Sequence, residues 1–299
     1  MPSLKTTRKR ISSTKATQKI TRAMKMVAGA RLTRAQQRIL AMRPYAVKTA
    51  EVLQSVAQTI AATSDANNEP VHPLLARRPE KKALFVVFSS DRGLCGALNT
   101  NVNKSTERAW REKEAASVRV AFATAGRKGR EYLTRRGAEV ARDFVRIYDG
   151  FDLDKARLIA KWLVPRFEKA EFDAVYVVYS EFKSAMTQKV VLERLLPLAE
   201  PTDPLGGVQA LAPTDFLYEP DQHTLLDRLV PMYVEISMYR ALLESQASFF
   251  GAQMTAMDAA TRNAKEMIAR YTLSYNRARQ AAITKELMEI IGGAEALKG

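Results

Sequence analysis

The residues best placed to do chemistry lie in one turn, SSDRGLCGALN, at residues 89–99. An apolar run that predicts a strand precedes the turn, and Gly93 and Gly96 stand before a segment that predicts a helix. Backbone amides at such a strand-to-helix turn can bind a phosphate group. However, no lysine follows the second glycine, and no third glycine completes a dinucleotide pattern. A tight structural turn is the favoured interpretation, and a nucleotide-using enzyme is the alternative that rests on this turn alone.

Nucleophilic and metal-dependent catalysis have few candidate residues. Cys95 is the only cysteine, which excludes an internal disulfide, and no histidine is near it in sequence. The two histidines, His72 and His223, are too few for a multi-histidine metal site, and both are predicted to lie at the surface. Glu286 and Glu289 share one helical face, where a solvated or partner-facing role is favoured over acid and base catalysis. We therefore predict no catalytic group, no metal and no cofactor in this chain.

The charge balance indicates an acidic partner. Lys and Arg number 47 against 32 Asp and Glu, a formal charge of +15, and Lys5–Lys48 holds thirteen basic residues without one acid. One alternative is a coiled-coil protein that binds nucleic acid. Only Tyr45 provides an aromatic ring near this basic run, so there is no platform for base stacking. We favour a protein partner. The longest apolar run, Ala83–Phe88, is too short to span a bilayer.

The element that must organise the chain is a C-terminal helix, predicted over residues 225–296. From Leu229 to Ala278 every seventh residue is uncharged, and a second column of apolar residues runs beside the first. This period predicts a helical seam that packs on a partner helix. Such a helix would extend for about 108 Å at about 1.5 Å per residue. The two columns are Leu229, Ile236, Leu243, Phe250, Met257, Ala264, Tyr271 and Ala278, and Met232, Tyr239, Ala260 and Met267.

A second long helix is predicted at the N-terminus, over residues 1–62, from a weaker seven-residue pattern. Its columns are rich in small residues, with Gln18 and Lys25 as polar interruptions, and Pro44 should kink or interrupt it. The simplest packing is an antiparallel coiled coil of the two long helices. The apolar C-terminal end would then project beyond its partner and be buried by another protein, with simple fraying as the alternative.

The middle of the chain predicts a small α/β domain. Strands are predicted at 83–88, 118–123, 143–148, 173–180 and 187–198, with helices after Leu98, after Gly126 and over 152–169. This alternation is typical of a largely parallel sheet of the Rossmann type. The predicted division is therefore an N-terminal coiled-coil helix at 1–62, an α/β domain with flanking loops at 63–221, and a C-terminal coiled-coil helix at 222–299. The fold class is α+β and rich in helix.

Four motifs in this order resemble the gamma subunit of the F-type ATP synthase, and the resemblance covers nearly the whole chain. They are ITRAMKMVAGARLTRAQ at 20–36, the SSDRGLCGALN turn, YEPD at 218–221 and the highly specific YNRARQAAITKELMEIIGGAEA at 275–296. The resemblance implies a non-catalytic rotor whose coiled coil enters a ring of three alpha and three beta subunits. Its rotation would couple ion flow through a membrane ring of c subunits to ATP synthesis, or to the reverse hydrolysis, at the beta subunits.

The resemblance also implies partners and site residues. The α/β domain would rest on the c-ring and the epsilon subunit, with no nucleic acid bound and with membrane contact only through the c-ring. The location implied is peripheral, on the cytoplasmic side of a bacterial inner membrane. Residues that match positions contacting the alpha and beta ring are Met24, Lys25, Arg279, Gln280, Thr284, Glu286 and Glu289, and the apolar end adds Ile290 and Ile291.

One departure from the family pattern concerns a polar contact between rotor and stator. Where the family usually has an acid and an arginine four residues later, this chain has Phe249 and Gln253. The chain also lacks the cysteine-bearing insertion that gives chloroplast forms a thiol switch, and Cys95 alone cannot form an internal one.

Overall fold

Two long helices carry most of the helical content of the chain. The computed structural model describes residues 3–63, 72–150, 152–197 and 222–296, and within them α1 spans Leu4–Thr63 and α5 spans Gln222–Ala296. Of the loops predicted to flank the α/β domain, residues 64–71 and residues 198–221, the latter with the YEPD motif, lie outside these ranges. By their internal contacts the residues form two units, Met1–Gly29 with Gln253–Gly299, and Ala30–Ala252.

Between the long helices lies an α/β domain whose elements follow the predicted alternation of strand and helix. The elements are β1 Lys82–Phe88, α2 Leu98–Ala115, β2 Arg119–Ala125, α3 Arg127–Thr134, β3 Val140–Phe144, α4 Leu153–Glu168, β4 Ala174–Phe182 and β5 Gln188–Leu196, with a short 3-10 turn at Pro73–Leu75. The strands form one sheet in the order β3-β2-β1-β4-β5. The first four are parallel and β5 pairs antiparallel with β4, which confirms the predicted, largely parallel sheet.

The sheet is buried on both faces, as a central parallel sheet must be. Six of the seven residues of β1 are buried. On one face Leu84 and Val86 pack with α4 and with a stripe on α5 at helical spacing, made of Val230, Val234, Met238, Ala241 and Leu242. On the other face Phe85 and Val87 pack with residues of α2 and α3, including Val102 and Leu133. The α/β domain is therefore a three-layer structure.

Strand β3 begins before the segment predicted for it. The prediction of residues 143–148 followed the apolar residues Val145, Ile147 and Tyr148, but the strand is Val140–Phe144 and Ile147 is buried in the turn after it. Only Phe144 of the five residues of β3 is fully buried, so its sequence lacks the apolar run that marks a buried strand. Its pairing is fixed instead by β2, where the Thr124 hydroxyl donates to the Asp143 carboxylate at 2.8 Å.

Helix α1 continues through Pro44, so the predicted interruption there is wrong. A proline inside a helix removes one hydrogen bond and costs about 3 kcal/mol. The turns that follow it bury Ala46, Thr49 and Leu53, and Leu53 belongs to the core beneath the sheet. Burial of this face offsets the local cost, because tertiary packing stabilises most protein helices more than local propensity does.

Within the unit that holds Met1–Gly29 and Gln253–Gly299, α1 and α5 pair in antiparallel fashion. The Arg8 guanidinium donates to the Tyr275 hydroxyl at 3.0 Å, and the hydroxyls of Thr21 and Thr261 are 2.8 Å apart. Residue numbers therefore increase along α1 while those of the contacting residues decrease along α5, which confirms the antiparallel coiled coil for this unit. Its buried residues all fall on the predicted seven-residue columns: Thr7, Thr21, Ala28, Met257 and Ala264.

Candidate partner-binding surface

The C-terminal end of α5 extends past the described part of α1. Helix α1 begins at Leu4, one turn before Arg8, so its pairing with α5 ends about one turn beyond Tyr275. Every residue from Ile283 to Gly293 is exposed. Five apolar side chains in this stretch are between 53% and 70% exposed: Ile283, Leu287, Met288, Ile290 and Ile291. The expected apolar end is therefore present and is not covered by any described residue of this chain.

The polar residues predicted to bind a partner line the same end of α5. Arg279, Gln280, Thr284, Glu286 and Glu289 are all exposed. The Thr284 hydroxyl donates to the Gln280 carbonyl at 2.9 Å, and Lys285 lies 3.5 Å from Glu289. These contacts stay within one helix and leave the charged groups open to solvent. The stretch thus presents apolar and polar side chains together on an exposed helix.

Met24 and Lys25 form a separate part of the surface. Lys25 Nζ lies 2.5 Å from Asp258 Oδ1, and this contact holds the pKa of the Asp258 carboxyl below its usual range. Twenty-one residues separate Asp258 from Arg279 on one helix, a distance of about 32 Å at about 1.5 Å per residue. The structure therefore does not bring the two predicted groups into one site, and Lys25 has an ionic partner inside the chain.

Three exposed apolar residues close to Met24 and Lys25 on α1 were not identified from the sequence. Ile20, Met26 and Val27 are each more than half exposed, on a helix that is otherwise strongly basic. None of the three lies on the seven-residue columns of α1. An apolar residue outside these columns does not face the partner helix of a two-helix coil, so the sequence pattern could have predicted their exposure. They enlarge the exposed apolar surface near Met24 and Lys25.

The SSDRGLCGALN turn is held by its own side chains. The amide N–H of Ser90 donates to the Asn99 side chain at 3.0 Å, and the Ser90 hydroxyl donates to the Arg92 carbonyl at 2.5 Å. Gly96 has φ +57°, a conformation that favours glycine, whereas Gly93 faces open space. These bonds occupy polar groups that a phosphate would need, which supports the structural interpretation of the turn.

Two further interactions complete this strand end. The Ser89 hydroxyl accepts a hydrogen bond from the Gly129 amide at 2.7 Å, so the end of β1 is fastened to the start of α3. Gly126 has φ +109°, and a Cβ there would lie 2.1 Å from the Ser89 carbonyl oxygen. Cys95 is buried, and burial raises the pKa of its thiol. A protonated, buried thiol is a poor nucleophile.

The prediction that His72 lies at the surface is wrong. His72 is 5% exposed, its Nδ1 accepts a hydrogen bond from the Leu74 amide, and its Nε2 lies 3.6 Å from the Asp227 carboxylate. Burial lowers the pKa of His72 in spite of that carboxylate. The side chain thus caps the 3-10 turn as a neutral imidazole. The side chain of His223 lies outside the described residues.

Phe249, where the family resemblance predicts an acid, lies in aromatic packing. It packs against Cys95, Leu98 and Ala252, and its ring centroid lies 5.5 Å from that of Phe250. The Arg31 guanidinium lies 5.8 Å from the Phe250 ring centroid, within cation–π distance. Gln253 is half-buried. Phe249 therefore offers no charge for the polar contact that the resemblance predicts there.

In residues 3–63, 72–150, 152–197 and 222–296, no group of three His, Cys, Asp or Glu side chains could hold a metal ion. Among the helices described, none has a stretch both long and apolar enough to cross a membrane.

Comparison with known proteins agrees with the motifs over the full length. A family model described as ATP synthase matches residues 3–297. The chain is 54% identical to the ATP synthase gamma chain of Sorangium cellulosum and 49% identical to that of an Anaeromyxobacter species, each with 100% of both chains covered.

Solved structures agree in fold. A chain from the Euglena gracilis mitochondrial ATP synthase gives a TM-score of 0.66 at 20% identity, covering 98% of this chain and 94% of that one. A chain from the central stalk and c-ring of the Tetrahymena thermophila mitochondrial enzyme gives 0.59 at 24% identity, covering 81% and 99%. Taken together, the matched residues and the full-length identities show that this chain belongs to the family of ATP synthase gamma chains.

Proposed function

We propose that the chain is the central rotor shaft of an F-type ATP synthase. It couples ion-driven rotation of a membrane c-ring to successive conformational changes at the beta subunits, and so to ATP synthesis or the reverse hydrolysis. Identity of 54% to a gamma chain over 100% of both sequences carries this proposal. The chain itself is not catalytic, since its one cysteine is buried and its strand-end turn is bonded internally.

We assign a mechanical role to each segment of the chain from the way its residues pack. Segments 1–62 and 222–299 form the coiled-coil shaft, and 63–221 forms the α/β domain with its flanking loops. A shaft that turns inside a ring must transmit torque, so it needs a packed seam of its own. The paired residues Thr21 and Thr261 and the buried Met257 and Ala264 supply such a seam.

We assign the contact with the alpha and beta ring to two groups of residues. Ile290 and Ile291 supply an apolar, weakly adhesive end, while Arg279, Gln280, Thr284, Glu286 and Glu289 offer polar contacts. Met24 and Lys25 face the same ring from α1, with Lys25 shared between Asp258 and an acidic partner surface. Charged side chains that are exposed on a helix, as Arg279, Glu286 and Glu289 are, can meet successive stator surfaces as the shaft turns.

The remaining partners are the epsilon subunit and the c-ring, which the α/β domain contacts. The c-ring is the only route to the membrane, and the chain binds no nucleic acid. We place it as a peripheral protein on the cytoplasmic side of a bacterial inner membrane. The bacterial source of its full-length relatives supports this location.

Co-purification tests the proposal. The chain is tagged on its α/β domain, produced at its native level and recovered from detergent-solubilised membranes. We expect alpha, beta, epsilon and c subunits to accompany it, together with ATPase activity. Recovery of nucleic acid that dissociates steeply as salt is raised would support the alternative class and overturn the rotor. Recovery of the chain alone would also overturn it.

A further inference from the structure

A crevice in the α/β unit lies where doubly wound sheets bind their ligands. The cavity has a volume of about 370 Å³, within the range of small-molecule sites, and its lining falls entirely within the unit Ala30–Ala252. Phe88, Ser89 and Ser90 border it from the carboxyl end of β1, and Ser180 from β4. The chain crosses from β1 to β2 on one side and later returns to β4 on the other, which makes this the point where strand order reverses.

Three arginines line this crevice: Arg31, Arg34 and Arg92. All three are exposed, and none lies within 4.0 Å of a carboxylate among the described residues. Asp91 and Asp149 also line the cavity, and the Asp91 carboxylate accepts a hydrogen bond from the Arg127 amide. The mixture of three arginines with two acids leaves a small excess of positive charge, which favours a ligand of low negative charge over a polyphosphate.

Three buried polar atoms at the crevice have no hydrogen-bond partner among the described residues. They are the hydroxyls of Tyr148 and Ser180 and the side-chain oxygen of Gln246, and Ser180 and Gln246 are only 1% and 5% exposed. Buried polar groups are nearly always hydrogen-bonded, because leaving one unpaired is costly. All three residues line the cavity, so a bound molecule could supply the missing partners. An acidic protein surface could pair with the arginines but would not enter a cavity to reach these atoms.

The rest of the lining is apolar and partly aromatic. Phe88, Leu98 and Val102 are buried, and Phe249 and Phe250 add two rings from α5. Aromatic rings can stack on flat heterocycles, a contact worth about 1–3 kcal/mol per base in nucleic-acid complexes. A flat ring system with polar edges thus fits the walls, and an anionic group fits the arginines.

We propose that this crevice is a binding site for a small anion with a flat ring system, of the nucleoside monophosphate class. Its phosphate lies against Arg31 and Arg34, its ring packs against Phe249, and its polar edge bonds to Ser180 and Gln246. The site is separate from the surfaces assigned to the alpha and beta ring at Arg279 to Ile291. It gives the rotor a ligand-binding function in its α/β domain that rotation itself does not need.

The direct test is calorimetry with AMP, adenosine and inorganic phosphate on the purified full chain. We expect AMP to bind at least about tenfold more tightly than adenosine or phosphate, since only AMP engages both the arginines and the aromatic wall. No binding of AMP at millimolar concentration overturns the proposal. Equal affinity for inorganic phosphate also overturns it, because the site would then hold an anion only.

Single substitutions of arginine test where the phosphate group of AMP binds. Arg34→Ala should weaken AMP binding by about tenfold, as expected for loss of one charged hydrogen bond. Arg43→Ala, an exposed arginine on the same helix but outside the cavity, is the matched control and should have no effect. Equal weakening by both changes would show only general charge attraction, and the proposal would fail.

Ser180→Ala separates ligand binding from a structural role. Because the hydroxyl is unpaired without ligand, its removal should leave the melting temperature unchanged or raise it, while AMP binding weakens severalfold. A lowered melting temperature with unchanged AMP binding would contradict the proposal. These measurements use the chain alone, so their outcome is independent of the test of the rotor.

Discussion

His72 is buried and neutral, and this gives the chain a pH-dependent stability. Burial lowers its folded-state pKa below the ordinary value of about 6.5, so the unfolded chain binds the extra proton first as pH falls. The contribution of His72 to stability is therefore present above about pH 6.5 and is lost as pH falls through the folded-state pKa. Asp227 and Glu168 oppose this shift and are outweighed by burial.

The first prediction concerns His72→Asn, which keeps an acceptor for the Leu74 amide. Between about pH 7.5 and about pH 5.5 the wild-type chain should lose stability relative to the variant, by at most about 1.4 kcal/mol per pH unit. Denaturant unfolding at a series of pH values measures the difference. The control is His223→Asn. Parallel pH profiles for wild type and His72→Asn would show that His72 is not held neutral.

The second prediction concerns Arg279. It is exposed and makes no hydrogen bond or ion pair with any described residue, so Arg279→Ala should change the stability of the isolated chain by no more than about 0.5 kcal/mol. In the assembled complex, loss of a charged contact to a beta subunit should lower the ATP synthesis rate by about tenfold. Arg277→Ala, a nearby exposed arginine, is the control. Wild-type synthesis by Arg279→Ala would remove that residue from the contact surface.

For individual side chains, the sequence predicted the exposure of the charged residues near the end of α5, but it did not predict which side chains pair with one another. Exposure of Arg279 and Glu289 follows from their place beyond the end of the partner helix, which the seven-residue pattern indicates. The Lys25–Asp258 contact required the register of α1 on α5, which a period alone does not give. Burial of His72 required knowing that the loop before β1 packs beneath the sheet.

For the helices, the seven-residue seam of α5 has a direct test. Phe250 lies on that seam and is buried, whereas Met267, on the second predicted column, is 50% exposed. Phe250→Asp removes burial worth about 1.5–3 kcal/mol and places a charge among apolar groups, so it should lower the free energy of unfolding by about 3 kcal/mol or more.

Met267→Asp is the control for this change on the same helix, and its effect should stay within about 0.5 kcal/mol because the side chain already contacts solvent. Denaturant unfolding of the two variants beside wild type gives both values. Equal destabilisation by the two variants would mean that the seam does not follow the Phe250 column.

The elements that were predicted well are those with a strong local pattern. Strand β1 and the helix after Gly126 begin within a residue of their expected positions, because an apolar run and a glycine mark them. Strand β3 was displaced because its residues are exposed and its pairing depends on β2. The continuation of α1 through Pro44 could not be predicted, since it depends on tertiary burial of the turns that follow.

For the whole molecule, the coiled coil and the exposed apolar end were predictable because they repeat at a fixed period. The aromatic cluster at Phe249 and the crevice beside it were not predictable, since they join residues from α1, β1, β4 and α5. Their sequence separation leaves no local pattern to identify. The crevice is thus the feature for which the structure adds most to the sequence.

Rotation tests the central claim most directly. Lys104 is exposed on α2, and Cys95 is buried with a raised thiol pKa, so Lys104→Cys should accept a bead while Cys95 stays unlabelled. The unmodified chain, which should take up no label, is the control. With the alpha and beta ring fixed to a surface and ATP supplied, we predict rotation in one direction with three pauses per turn. Beads that show only random motion on complexes that hydrolyse ATP would contradict the rotor.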